Sequence, residues 1–205
     1  MIDILFLTHG RTEFMRESLA ALLANTDWTK VRRLVMYDEA VAGLGGPVAV
    51  MNHYLKSGNV TPIFAKIDDD TMVPPGWLGE CLQVMEENPK LDLLGIEAHY
   101  PVVAGVAPRS YKPAQFIGGI GLMRSSCFRS LPRAQGRFGF TAWQDTNAQV
   151  VKGWISPALP VFLLDRIPFA PWAEHSREYV RQGLQRDWPA YDPAVDGDKW
   201  AWWRP

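Results

Sequence analysis

The sequence holds only two cysteines, Cys81 and Cys127, far apart and in no C-x-x-C pair. A disulfide framework is therefore not indicated, and free core thiols in a reducing compartment are the expectation. The four histidines form no H-E-x-x-H or other paired spacing, which removes the usual sequence sign of a zinc site. An excess of charge of either sign is missing too: 21 Lys and Arg stand against 22 Asp and Glu. No net charge draws the chain to nucleic acid or to an anionic membrane, which leaves open only a local basic patch. No apolar stretch is long enough to span a bilayer, and Met1-Ile2-Asp3 leads directly into an apolar run without a charged leader or a small-residue cleavage site. A soluble, cytoplasmic protein is expected from this. The chain also lacks G-x-x-x-x-G-K-[ST] and G-x-G-x-x-G, which argues against P-loop and dinucleotide-binding folds. It shows no internal repeat and no low-complexity segment.

What is present is apolar and periodic. With 47% hydrophobic residues in 205, the chain can bury a sizeable core as one large domain. Ile2 to Leu7 is a nearly continuous apolar run ending at Thr8-His9-Gly10, as a strand buried on both faces would be. In the helix that follows, from Thr12 to Asn25, Met15, Leu19, Leu22 and Leu23 form a stripe, with Thr12 as a candidate N-cap. Leu34 to Tyr37 reads as a second strand and Pro47 to Ser57 as a helix opened by proline and closed by Gly58. Ile63 to Ile67 is a third strand, Trp77 to Asn88 a helix with Leu78, Cys81, Leu82 and Met85 on one side, and Leu91 to Ile96 a fourth strand. Strand and helix in alternation predict right-handed βαβ crossovers, hence an α/β fold with a mostly parallel sheet covered by helices on both faces. The second half is less regular. Pro101 to Pro113 reads as a loop, Phe116 to Arg124 as a glycine-interrupted strand, and Gly136 to Thr141 as a glycine- and aromatic-rich loop. Asp145 to Lys152 reads as a short helix capped by Gly153, Val161 to Leu164 as a last strand, and the chain from Trp188 onward as an irregular tail.

Open α/β sheets bind ligands outside the carboxyl ends of their strands. Thr8 to Arg11, Asp38 with Glu39, and Asp68-Asp69-Asp70 all follow predicted strands, so most of the polar chemistry converges on one edge. Three consecutive carboxylates in a partly buried cleft repel one another unless a cation offsets them. Mg²⁺ or Mn²⁺ suits carboxylate oxygens and commonly takes only one or two of them, completing its shell with substrate phosphates.

The run Ile67-Asp68-Asp69-Asp70-Thr71-Met72-Val73-Pro74-Pro75-Gly76-Trp77-Leu78 resembles the D-x-D motif and helix entry of GT-A-type glycosyltransferases, family 2 above all. Further pieces come in matching order. Thr8 and Arg11 resemble the T-x-x-R nucleotide loop, Asp38 stands at the second strand end, and Asn52 lies in the next helix. Gly118-Gly119-Ile120-Gly121 resembles the small-residue acceptor strand, and Trp143-Gln144-Asp145 resembles the E-D element with Gln144 in place of the first acid. His175 stands where many members place a late metal-binding histidine. The resemblance covers roughly Ile2 to His175.

The resemblance implies one GT-A-like catalytic domain over 1–187, with a nucleotide-binding half of about 1–98 and an acceptor half of about 99–187, then a Trp- and Pro-rich tail over 188–205. It implies that Asp70, with Asp68 and His175, holds Mn²⁺ or Mg²⁺ against the donor diphosphate. Thr8, Arg11, Asp38, Asn52 and Asp68 would contact the nucleotide, and Gly118, Gly119 and Trp143 the acceptor. An acceptor hydroxyl is a poor nucleophile at neutral pH, so Asp145 would take its proton as general base, with inversion at the anomeric carbon. The implied activity is metal-dependent transfer of a sugar from a nucleotide-sugar, by default a UDP-sugar, to an acceptor the sequence does not name: a glycan, a protein or a small molecule. Phe138, Phe140 and Trp172 are candidates for stacking on sugar faces, or for core.

Other readings compete. A phosphatase of the haloacid dehalogenase type also places D-x-D after a strand, but after the first, and with Thr or Val where Met72 stands. A nucleotidyltransferase would open with a richer glycine loop than Thr8-His9-Gly10-Arg11. A binding module that keeps the nucleotide site without transfer is the non-enzymatic alternative. Nucleic acid as acceptor would rest on Arg177, Arg181 and Arg186 with Tyr179 and Trp188, set against Glu174, Glu178 and Asp187 on the same stretch.

Overall fold

The structure, a computed structural model, describes residues 1–8, 12–38, 47–99, 109–130, 140–159 and 161–164. The chain runs β1 (Ile2–Thr8), α1 (Thr12–Asn25), a 3-10 turn (Trp28–Lys30), β2 (Val31–Asp38), α2 (Pro47–Lys56), β3 (Ile63–Asp68), β4 (Thr71–Met72) and α3 (Trp77–Glu87). It continues with β5 (Leu93–Ile96), β6 (Ala98–His99), β7 (Ser110–Ala114), β8 (Gly121–Arg124), α4 (Ser125–Ser130), α5 (Phe140–Thr146), β9 (Lys152–Ser156) and β10 (Val161–Leu163).

Among the described residues, seven strands form one sheet in the order β2-β1-β3-β8-β5-β9-β7, and β4-β10-β6 form a small second sheet. β1 is parallel to β2 and β3, and β5 is parallel to β9; β8 enters antiparallel between β3 and β5, and β7 lies antiparallel on β9. The alternation along β1 shows why the strand is apolar throughout its middle. Ile2, Ile4 and Phe6 belong to a core with Leu22 of α1 and Trp77, Leu78, Cys81, Val84 and Met85 of α3. Leu5 and Leu7 belong to the opposite core, with Val48, Met51 and Tyr54 of α2, Phe128 of α4, and Phe140 and Trp143 of α5. Each such side chain contributes about 1.5–3 kcal/mol on full burial. Trp77 is fully buried and its indole N–H donates to Thr26 Oγ1 at 3.1 Å, so the large ring carries no unsatisfied polar group.

The expected α/β architecture with helices on both faces is present, and the second half departs from expectation in defined ways. The predicted helix from Asp145 to Lys152 is instead α5, which ends at Thr146, followed by β9 starting at Lys152. Val150, Ile155 and Trp154 pack into the sheet, and the free edge of β5 takes Lys152–Ser156 as a parallel neighbour. Residues 110–113, expected in a loop, fall in β7 (Ser110–Ala114), recruited by the outer edge of β9. Only the last four residues of the predicted strand from Phe116 to Arg124 pair, as β8; Ile117 instead lies across the sheet face, where a Cβ on Gly95 would stand 2.7 Å from its own. Gly121 opens β8 at φ 151°, and a Cβ there would stand 1.9 Å from the Leu94 carbonyl oxygen, so only glycine lets β8 seat against β5.

Cys81 and Cys127 are buried and in no disulfide, as expected of core thiols. Burial pushes both upward, Cys127 to about 12, so neither is a thiolate at neutral pH. Among the described residues no helix is long and apolar enough to cross a membrane.

Candidate functional site

Parallel pairing of β2, β1 and β3 brings three strand ends side by side. The register sets Thr8 beside Asp38 and Leu7 beside Asp68, so Thr8, Asp38 and Asp68 share one carboxyl edge. The acidic turn that follows β3 is anchored from several directions. Thr8 Oγ1 donates to Asp69 Oδ2 at 3.0 Å, and Asp69 is buried. Ser18 of α1 lies within reach of the Asp68 carbonyl at 3.2 Å and donates to the Thr71 carbonyl at 2.6 Å. Leu164 N donates to the Asp70 carbonyl at 2.6 Å. Asp69 thus faces inward, while Asp68 and Asp70 are partly exposed.

Beneath Asp68 sits a residue that the sequence reading missed. Lys66 precedes it by two positions in β3, hence on the same face, and its Nζ lies 2.5 Å from Asp68 Oδ1. Lys66 is 1% exposed. Gly119 closes over this pair: a Cβ on it would stand 3.2 Å from Lys66 Nζ and 3.9 Å from Asp68 Oδ2. The alternation of Lys66 with Asp68 was visible in the sequence, but the burial of the lysine was not.

On the other side of this glycine segment, Gln144 of α5 is buried and makes a two-way contact with one peptide unit. Its Oε1 accepts from Ile117 N at 3.0 Å and its Nε2 donates to Ile117 O at 2.9 Å. Gln144 therefore holds the segment in which Gly118 meets the Trp154 ring and Gly119 meets Lys66 and Asp68. Trp143 is 2% exposed and stacks on Phe128 and Phe140 at centroid distances of 4.6 and 5.8 Å. Its rings are core, where an acceptor contact was the expectation, and the buried Phe140 is core with it. Asp145 is exposed and lines a cleft of about 380 Å³ with Gln115, Phe116, Ala148 and Lys152. That cleft reaches the amino end of β9, where Ala114 and Lys152 pair, whereas the acidic turn closes the carboxyl end of β3.

No protein-family model matches the sequence, and no curated protein sequence does either. Among solved structures, the chain is similar to the crystal structure of S. aureus TarS residues 1–349, with TM-score 0.56 and 14% identity over 97% of this chain and 68% of that one. It is similar to a longer S. aureus TarS chain with TM-score 0.55 and 14% identity, over 97% of this chain and 41% of that one. TarS is a GT-A-type glycosyltransferase. This chain has the GT-A fold. An active-site mutant of LgtC superposes more loosely, at TM-score 0.40 and 12% identity over 75% of this chain and 71% of that one.

Within this GT-A fold Thr8, Asp38 and Asp68, expected to contact the donor, share one edge, and Gly119, expected to contact the acceptor, stands beside Asp68. Asn52 lies half-buried on α2, two residues before Tyr54, whose hydroxyl reaches Asp3 at the amino end of β1. Arg11, His175, Phe138 and Trp172 lie outside the described residues, as does the expected boundary at 187. The repulsion inferred for the acidic triplet is relieved in part by the chain itself, through Lys66 on Asp68 and Thr8 on Asp69. Among the described residues no three His, Cys, Asp or Glu side chains gather as a metal cage. Oxygen ligands of this kind would fit a hard divalent ion only in an open manner, with one or two carboxylates of the turn and the remaining ligands supplied from elsewhere.

Proposed function

We propose that this chain is a glycosyltransferase that takes its sugar from a nucleotide-sugar donor bound at the carboxyl edge of β2, β1 and β3. The observation that carries this reading is the adjacency of Thr8, Asp38 and Asp68 at three neighbouring strand ends, above an acidic turn tied down by Ser18 and Thr8. Carboxylates at such ends accept hydrogen bonds from the base and the ribose hydroxyls, and Asp38 and Asp68 take those roles. Asp70 is the residue to hold Mn²⁺ or Mg²⁺, with His175 as a further expected ligand; an ion held there would neutralise charge on the departing diphosphate. Asp145 takes the proton of the acceptor hydroxyl as its oxygen bonds to the anomeric carbon and the bond to the diphosphate breaks, which inverts that carbon. For this, the acceptor must enter by the cleft that Asp145 lines. A UDP-sugar is the default donor, and residues 1–187 are the proposed catalytic domain.

A second reading is a nucleotide-sugar binding module without transfer, favoured by the cleft of Asp145 reaching the amino end of β9. One set of measurements separates the two. Thermal shift with UDP- and GDP-sugars, with and without Mn²⁺, reports donor binding, because a ligand at about 100 times its Kd stabilises the folded state by about 2.7 kcal/mol. Asp38→Ala is expected to abolish the shift. Asp145→Asn is expected to keep the shift and to lower donor turnover about 100-fold or more. No shift with any nucleotide-sugar sinks both readings, and a shift without turnover across acceptors leaves the module.

A further inference from the structure

Lys66 has no task in the reaction proposed above, yet the fold encloses it. Its side chain is 1% exposed and its ammonium lies 2.5 Å from Asp68 Oδ1, while the Asp68 side chain is about one-third exposed at 32%. Taking an ammonium out of water is costly even when it is paired, and an apolar side chain of similar volume is often as stable or more so. The strand neighbours of Lys66 are Leu5 and Gly121, surroundings in which methionine would serve packing as well. Stability alone gives no reason for a lysine here. The geometry gives one: Oδ1 of Asp68 is occupied by a fixed cation, and Oδ2 is left beside Gly119, where even an added Cβ would stand 3.9 Å away.

We propose that Lys66 is a positioning residue that keeps Asp68 from serving as a metal ligand and turns its second oxygen toward the donor. This rests on the donor-site reading above. A divalent cation approaching Asp68 meets the ammonium charge already seated on that carboxylate, so of the turn's acids Asp70 is the one assigned to the ion. Divalent metal therefore binds weakly before the nucleotide and tightly with it, when the diphosphate brings further oxygens to Asp70. The first acid of the turn serves the nucleotide, and the third serves the ion.

The test is calorimetric titration of Mn²⁺ into the full chain, first without nucleotide and then with UDP. Lys66→Met frees Asp68, and its nucleotide-free affinity for Mn²⁺ is expected to rise at least 10-fold over wild type; adding Asp68→Asn to it returns the affinity to the wild-type level. Lys66→Arg keeps the cation and is expected to leave nucleotide-free Mn²⁺ affinity within 3-fold of wild type. Asp68→Asn in the wild-type background is likewise expected to change it by less than 3-fold. A side chain that only filled space would not raise metal affinity when replaced. Equal nucleotide-free affinities for wild type and Lys66→Met overturn the proposal, and so does a 10-fold loss in Asp68→Asn, which remains measurable if Lys66→Met does not fold. Failure of UDP and GDP to bind wild type in Mn²⁺ removes the donor-site reading instead, and the nucleotide-free comparison still decides what Lys66 does to Asp68.

Discussion

Gln144 stands where the resembling family has an acid, and its hydrogen bonds explain the amide. Ile117 presents both an N–H and a carbonyl to it, and a carboxamide can accept from one and donate to the other. An ionised carboxylate can only accept, so Gln144→Glu sets a buried negative charge against the Ile117 carbonyl. The expected cost is about 1–3 kcal/mol at pH 8. Burial raises the pKa of the introduced carboxyl, so the cost shrinks as pH falls through that raised value and the protonated group donates to the carbonyl again. Urea midpoints of this variant and wild type at pH 8 and pH 5 check it: a gap that is absent at pH 8, or that fails to narrow at pH 5, counts against this role for Gln144. At this scale the sequence was half legible. It displayed the amide in place of an acid, and Lys66 alternating with Asp68, but burial is a property of neighbours that only the folded chain assembles.

Elements were legible where their own periodicity decided them. β1, α1, β3 and α3 each carry a face that needs a partner, and all four appear within a residue or two of the expected bounds. β7 and β9 were not legible, because what makes them strands is the open edge of β5, distant in sequence. β8 shows how narrowly such an insertion is constrained. Gly121→Ala combines a φ of 151° with a contact of 1.9 Å to backbone, and is expected to lose about 3 kcal/mol of stability. Gly58→Ala, at φ 72° with nothing within 4 Å of the added carbon, is expected to lose only about 1 kcal/mol. Equal losses in chemical denaturation would mean that the close approach of β8 to β5 contributes nothing beyond backbone conformation.

For the molecule as a whole, the amino end of the sheet is tied by a buried acid that lies at the opposite end of β1 from Thr8. Asp3 accepts from Arg32 Nε at 2.8 Å, Arg33 Nε at 3.1 Å and Tyr54 OH at 2.7 Å, linking β1 to β2 and α2. Burial alone would raise its pKa, but the hydrogen bonds from Arg32, Tyr54 and Arg33 outweigh it and hold the carboxyl below the usual range. A depressed folded pKa means stability that is present above the unfolded value, about 4, and is lost as pH falls through the lower folded value. Asp3→Asn is expected to cost about 2–3 kcal/mol at pH 7, the low end for a broken buried pair because both arginines are about one-third exposed. It should also flatten the acid limb of the Tm profile below about pH 4. A variant that loses Tm in parallel with wild type throughout that range would assign the acid limb to other carboxylates.

The main strands and helices from β1 to β5, the polar residues at three strand ends and the core thiols followed from the sequence alone, because hydrophobic period and turn residues act over a few positions. Only the tertiary structure decided that Lys66 sits on Asp68, that Gln144 clamps Ile117, that Trp143 is core, and that Asp145 opens into a cleft reaching the far end of β9. Each of those depends on which distant segment occupies the space beside a side chain, and in this protein the crossing of residues 117–121 over the sheet makes that choice.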